Sequence, residues 1–244
     1  MRRLFVQGSL GPEIIIDGPD AHHLMHVLRA KKGQVFTLVD ASGHTGEAEI
    51  TGFTEESVTM RLLRELSADT ESPLELWLAQ CLPKADKMDF IVQKAVELGV
   101  ARVQPLRSTN CVVKYDAAKA AARVQKWQRI ADEAAKQCGR TRPLQVAEVQ
   151  ALSGWLKQLE AEGTALLFCY EKEQQGIRDY LRSSAASRYV VLIGPEGGFT
   201  PQEAELLLAA GAGSVSLGPR ILRAETAAVA ALSIVQYEKG DLGA

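Results

Sequence analysis

No stretch of the chain approaches the ~20 consecutive apolar residues that a membrane-spanning helix needs. The amino terminus shows no secretory leader either. Arg2 and Arg3 precede only Leu4-Phe5-Val6 before Gln7, Gly8 and Ser9 end the apolar run, which is too short for a signal sequence. A cytoplasmic protein is therefore expected. Cysteine is sparse: Cys81, Cys111, Cys138 and Cys169 stand 27 to 31 residues apart with no CxxC pair. That spacing argues against a zinc site built from close ligand pairs and against a disulfide framework, so reduced, mostly buried thiols are expected. Three of the four histidines, His22, His23 and His26, fall in one segment. They lack acidic or cysteine partners at metal-ligand spacing, so no metal is expected. Internal repeats and low-complexity tracts are absent, and so is the GxGxxG fingerprint of dinucleotide-binding enzymes.

Strong net charge is missing as well: the 244 residues sum to -2. The distribution says more than the total. Residues 1–70 carry 7 basic against 10 acidic side chains, residues 71–150 carry 13 against 9, and residues 151–244 carry 8 against 11. Between Arg102 and Arg142 there are ten Lys and Arg but only three acids. Such a local basic field can meet phosphates on an otherwise acidic protein, although a solvated helix face explains it equally well.

What is present divides into two patterns. Short strands rich in Val, Ile, Thr and Phe are expected over 2–6, 13–16, 34–39, 46–51 and 57–62, with Asp40-Ala-Ser-Gly43 as a hairpin connection. One helix, started by Gly18-Pro19-Asp20 and carrying His22, Leu24, Val27 and Leu28, interrupts them. Many strands and one helix indicate a small barrel. A polar linker near 67–73 leads to strands alternating with helices: strands over 74–81, 102–106, 144–149, 165–170, 189–193 and 214–217, a helix over 86–98 and a long one over about 117–138. That alternation predicts an α/β domain with a parallel sheet.

Two segments of the last third carry the chemistry. In Tyr189-Val-Val-Leu192-Ile193-Gly194-Pro-Glu196-Gly197-Gly198-Phe-Thr200-Pro-Gln-Glu203, a buried strand ends in a glycine turn, and Thr200 with Glu203 forms a capping box. Ligands of open α/β sheets bind beyond the carboxyl ends of the strands, where glycine lets backbone approach closely. No Lys-Ser/Thr follows the glycines, so the loop suits a nucleoside-like ligand better than a triphosphate. The second segment, Ser216-Leu217-Gly218-Pro-Arg220-Ile221-Leu222-Arg223-Ala224-Glu225-Thr226-Ala227, repeats strand, turn and helix. The helix it opens has a stripe of Ala227, Ala228, Ala231, Leu232 and Val235, suited to close packing within the chain or between copies.

Together these segments resemble the carboxy-terminal signature of the SPOUT methyltransferases, in wording close to the RsmE family, which methylates uridine N3 of 16S ribosomal RNA. The segments His23-Leu-Met-His-Val-Leu-Arg29, Lys84–Gly99 and Trp127–Arg140 add to the likeness, which spans nearly the whole chain. The resemblance implies a PUA-like β-barrel over 1–70, for RNA binding, and a knotted α/β methyltransferase domain over 73–244. It implies S-adenosylmethionine as cofactor, a homodimer, and 16S ribosomal RNA of the small subunit as partner. Its pocket would be walled by Leu192, Ile193, Gly194, Glu196, Gly197 and Gly198 on one side. Leu217, Gly218, Ile221, Leu222, Arg223, Ala224, Thr226 and Ala227 would form the other. One departure stands out: where a serine- and arginine-rich stretch is expected after Pro105, this chain has Ser108-Thr109-Asn110-Cys111.

Uracil N3–H is a weak acid, so transfer to N3 needs a proton acceptor or a cation that stabilises the anion. Arg223 is the expected stabiliser, with Glu225 or Glu196 handling the proton or orienting the ribose; arginine itself stays protonated. RNA docking is expected at Arg2, Arg3, Arg29, Lys31 and Lys32 and along 102–142, whereas Lys84, Lys87 and Lys94 read as solvated surface. Three rivals stay open: a SPOUT enzyme acting on transfer RNA or a ribose hydroxyl, a non-catalytic ribosome-assembly factor, and, disfavoured by the missing fingerprint, a nicotinamide oxidoreductase.

Overall fold

Short runs rich in Val, Ile, Leu, Thr and Phe form the amino-terminal strands: β1 (Arg3–Phe5), β2 (Glu13–Ile16), β3 (Val35–Val39), β4 (Thr45–Phe53) and β5 (Val58–Leu66). The computed structural model describes residues 3–67, 70–160, 162–170 and 173–243. The chain divides into two compact units, one of Met1–Glu71 with Ala135–Arg142 and a second of Ser72–Ala134 with Pro143–Ala244.

In the first unit the strands order β1-β3-β4-β5-β2. Leu4, Ile14, Ile16, Phe36, Leu38, Ala48, Ile50, Val58 and Met60 point to a common interior, as the period of two requires. Two register shifts between β4 and β5 bend that pair, as bulges do. The hairpin between β3 and β4 closes on Gly43 at φ +87. Asp40 Oδ1 there accepts from the amides of Ser42 at 2.8 Å and His44 at 3.0 Å.

The helix expected after Gly18 is split. A short α1 (Gly18–His22) passes into a π-helical turn over His23–Val27, in which Leu28 N–H donates to His23 O at 2.9 Å. The wider turn keeps Ala21 and Leu24 in the core and leaves His22, His23, His26 and Val27 exposed. It ends at Arg29, a non-glycine residue at φ +48.

The second unit follows the alternation read from the sequence. In chain order it contains β6 (Glu75–Cys81), α2 (Lys87–Glu97), β7 (Arg102–Arg107), α3 (Ala117–Cys138), β8 (Gln145–Val146), β9 (Gln150–Ala151) and α4 (Leu152–Leu156). There follow β10 (Thr164–Cys169), α5 (Ile177–Ser183), β11 (Arg188–Ile193), α6 (Pro201–Ala209), β12 (Gly213–Val215) and α7 (Ala224–Lys239). The last residues of α3 cluster with the first unit. All pairings in this sheet are parallel, in the order β12-β10-β11-β6-β7-β8, with β9 also on β7. The single strand expected over 144–149 is two two-residue pieces instead, because the chain leaves the edge of β7 after Val146 and rejoins it at Gln150.

Ala228, Ala231, Leu232 and Val235 of α7 are at most 1% exposed. The helix carrying them packs on α2, α5, β6 and β11, so the small-residue stripe serves the interior of this chain. Gln236, buried among them, donates to Leu98 O at 2.8 Å and accepts from Ser72 Oγ at 2.9 Å. Of the cysteines, Cys81 and Cys111 are buried, Cys169 is half-buried and Cys138 is exposed.

Candidate active site

Strand order positions the site. β10 lies between β11 and β12, so the turns leaving β11 and β12 flank the end of β10 on the carboxyl edge of the sheet, where α/β proteins place ligands. After β11, Gly198 N–H donates to Pro195 O at 2.9 Å, closing a tight turn with Gly198 at φ +65. Thr200 then caps α6 in the expected box, with Glu203 accepting from Thr200 N at 2.9 Å and Thr200 Oγ1 receiving from Glu203 N at 3.2 Å. After β12, Gly218 sits at φ +115, and the space where its Cβ would stand is empty. Arg223 precedes the first turn of α7 without capping it through its side chain.

Between the two turns lies a cavity of about 730 Å3, within the usual range for small-molecule sites. It is lined by every pocket residue expected from the sequence except Leu192 and Thr226. Leu192 is wholly buried inside β11, and Thr226 is exposed on α7. The lining also includes Cys169, Tyr170, Glu173 and Gln174 from the end of β10, which sequence reasoning missed. Only the sheet order reveals them.

Among the described residues the lining holds no lysine. Arg220 and Arg223 stand against Glu173 and Glu196, with Ile193, Phe199, Leu217, Leu222, Ala224 and Ala227 supplying apolar surface. That mixture of carboxylates, arginines and apolar surface suits a nucleoside carrying charges of both signs. The Glu173 carboxylate lies below its ordinary range because the Gln175 and Gln174 amides donate to it, so it faces the cavity as an anion.

Lys87, expected on the solvated surface, belongs to the site. Its Nζ lies 2.8 Å from Glu196 Oε1 and 3.2 Å from Glu225 Oε2. One ammonium on α2 thus joins a carboxylate from each of the two segments read as pocket walls. The second contact lacks hydrogen-bond alignment and is a plain ion pair. Glu196 also accepts from the amide of Lys84 at 3.1 Å. Burial raises the Glu196 pKa, but Lys87 and the backbone donors outweigh it and hold the carboxyl below its ordinary value. Hydrogen bonding to Glu196 raises Lys87 in turn. Lys94, by contrast, pairs with Glu97 at 2.7 Å on its own helix.

The sign of the pH dependence follows. Glu196 contributes stability above about pH 4.5, lost as pH falls through its lowered value; Lys87 contributes below about pH 10.5, lost as pH rises through its raised value. Lys87→Met should therefore lower the thermal midpoint by about 2–4 °C near pH 7, from ~1 kcal/mol for a partly exposed pair. The gap from the parent protein should narrow toward pH 3. A gap that stays constant down to pH 3 would contradict the ion-pair account.

Comparison with known proteins bears on what such a cavity serves. The RNA methyltransferase domain family matches residues 70–236, and the RNA methyltransferase PUA domain matches residues 16–63. The ribosomal RNA small subunit methyltransferase E of Bacillus subtilis is 30% identical over 98% of this chain and 97% of its own length. That of Synechocystis is 34% identical over 92% of this chain and 75% of its own. The chain belongs to the ribosomal RNA small subunit methyltransferase E family. A crystal structure of the family member from Neisseria gonorrhoeae, bound to S-adenosyl methionine, superimposes with a TM-score of 0.89 at 34% identity, covering 99% of both chains.

In this family member the basic residues expected to meet RNA are placed differently from one another. Arg29, Lys31 and Lys32 are exposed on the segment after the π-helical turn. Arg3 turns inward, donating to the carbonyls of Gly139 and Arg140, which engages it in structure. Arg2 lies outside the described residues. Along the 102–142 stretch, Lys126 pairs with Asp89 and Arg123 with Asp86, so part of that field is already neutralised. No helix among the described residues is long and apolar enough to cross a membrane.

Proposed function

We propose that this methyltransferase-family protein transfers a methyl group from S-adenosylmethionine to N3 of a uridine in 16S ribosomal RNA of the small subunit. The observation that carries the reading is the mixed-charge cavity between the 194–198 and 216–227 turns. It lies within the segment matching the RNA methyltransferase domain. The residues fit the cofactor. Apolar side chains can take adenine, Gly194, Gly197 and Gly218 keep side chains off the backbone that would approach it, and carboxylates and arginines answer its charges of both signs. A relative covering nearly all of this chain was solved with that cofactor.

When bound, S-adenosylmethionine supplies an electrophilic methyl group that needs no further activation. The chain's residues then position the acceptor and manage its proton. Arg223 stabilises the negative charge that develops on the uracil, helped by the partial positive charge at the amino end of α7. The proton leaves toward the carboxylates held on Lys87. Of the two, Glu196 lines the cavity and Glu225 stands beside it as the second ion-pair partner of Lys87.

In this reading residues 1–70 form the RNA-binding domain and 73–244 the knotted methyltransferase domain, working as a homodimer in the cytoplasm. Arg29, Lys31 and Lys32 hold the RNA. N3 lies on the pairing edge, so the target uridine must be unpaired when it is modified. The test is genetic. Small-subunit RNA from cells lacking the gene should contain less 3-methyluridine, restored by the parent gene and not by the Arg223→Ala form. Unchanged 3-methyluridine would remove the proposal.

A further inference from the structure

The segment Ser108-Thr109-Asn110-Cys111, which departs from the expected serine- and arginine-rich pattern, lies against the glycine wall of the cavity. Its Asn110 side-chain amide donates to Gly197 O at 2.9 Å and to Gly198 O at 3.1 Å. Next to it, Thr109 N–H donates to Glu203 Oε1 at 2.8 Å, the same carboxylate whose other oxygen caps α6 through Thr200. The segment is itself closed by Cys111, whose N–H donates to Ser108 O at 3.2 Å and whose buried Sγ receives from the Ser108 amide at 3.4 Å. A Cβ on Gly197 would stand 3.0 Å from Asn110 Cβ, so the two residues are packed as closely as glycine permits.

We infer that Asn110 is a positioning residue for the methyl-donor wall. Both NH2 hydrogens of one side chain are committed to consecutive carbonyls of a turn that the Gly198–Pro195 hydrogen bond closes. Two carbonyls pointing at Asn110 cannot also rotate toward the cavity. The wall therefore presents one backbone arrangement to the ligand, and the entropy of ordering a glycine-rich turn is removed before binding. The idea rests on the proposed S-adenosylmethionine site for its functional consequence, and on the hydrogen bonds alone for its structural one.

Three variants separate the possibilities. Asn110→Ala removes both donors, Asn110→Ser restores one, and Asn110→Asp places a carboxylate against two carbonyl oxygens. Calorimetric titration with S-adenosylmethionine should show the dissociation constant rising about tenfold in Asn110→Ala, less in Asn110→Ser and more in Asn110→Asp. Turnover at saturating cofactor should stay near the parent value and the thermal midpoint should move little. Amide hydrogen exchange over 194–199, measured without ligand, should quicken in the same order. Unchanged exchange in all three variants overturns the inference, as does an affinity loss that simply tracks lost stability. Failure of the parent protein to bind S-adenosylmethionine would instead remove the proposed function, and the exchange measurement alone would then decide the role of Asn110.

Discussion

Arg223→Ala should lower turnover by about 10²–10³-fold, the scale seen when one donor to a developing oxyanion is removed. Binding of S-adenosylmethionine should change by less than about threefold, since an interaction made mainly in the transition state lowers turnover and leaves ground-state affinity nearly alone. The structure makes this a clean substitution. Arg223 lines the cavity, its side chain is exposed, and its backbone at φ -64 and ψ 152 is open to alanine. Exposed positions of that kind shift stability by within about 0.5 kcal/mol. Arg223→Lys keeps the charge but loses the planar fork of donors, so it should recover only part of the rate. Equal loss of affinity and turnover, together with a lower thermal midpoint, would mean that Arg223 holds the α7 entry in shape and does not meet the uracil.

The second large effect concerns stability. Glu71→Ala should cost about 3 kcal/mol or more, the scale for breaking a buried charge pair by removing one partner. Arg140 Nη2 lies 2.6 Å from Glu71 Oε2, and its Nε lies 3.0 Å from Oε1, with the two side chains only 6% and 8% exposed. The amides of Thr141 and Arg142 also donate to Oε1, at 2.8 and 2.9 Å. The alanine form strips these donors of their shared carboxylate in a place where water does not reach freely. Thermal unfolding should begin about 6–12 °C lower for a loss of that size. Burial raises the Glu71 pKa, but Arg140 and the amides more than offset it, so the folded value lies below the ordinary one. The stabilisation is therefore complete above about pH 4.5 and fades as pH falls through the lowered value, so parent and variant should converge in acid. Equal midpoints at pH 7 would show that the pair only breaks even.

Where the sequence was legible, one local rule sufficed. β2 was read to the residue because a run of β-branched Ile14, Ile15 and Ile16 is bounded by Gly11-Pro12 and Gly18-Pro19. The capping box of Thr200 and Glu203 is a four-residue pattern with its physics inside it. Both cavity walls were found because each is a strand ending in glycine followed by a helix. What escaped depends on neighbours distant in sequence. Tyr170 and Glu173 reach the cavity only because β10 inserts between β12 and β11, an order that periodicity does not encode. Lys87 read as a solvated side chain because its partners, Glu196 and Glu225, lie more than a hundred residues away. Asn110 is a similar case, in an unfamiliar loop whose contacts are with Gly197 and Gly198. The π-helical turn escaped for another reason: His22, Leu24, Val27 and Leu28 fit helical spacing loosely, and one extra residue per turn is invisible at that tolerance.

The central claim is that the cavity between the two glycine turns serves methyl transfer to uridine N3. Its most direct test gives the purified protein labelled S-adenosylmethionine and small ribosomal subunits from cells lacking the gene, followed by nucleoside analysis. The account predicts label in 3-methyluridine from 16S RNA, and almost none with the Arg223→Ala form. Label in a ribose-methylated nucleoside, in transfer RNA, or in no RNA despite bound cofactor would contradict it.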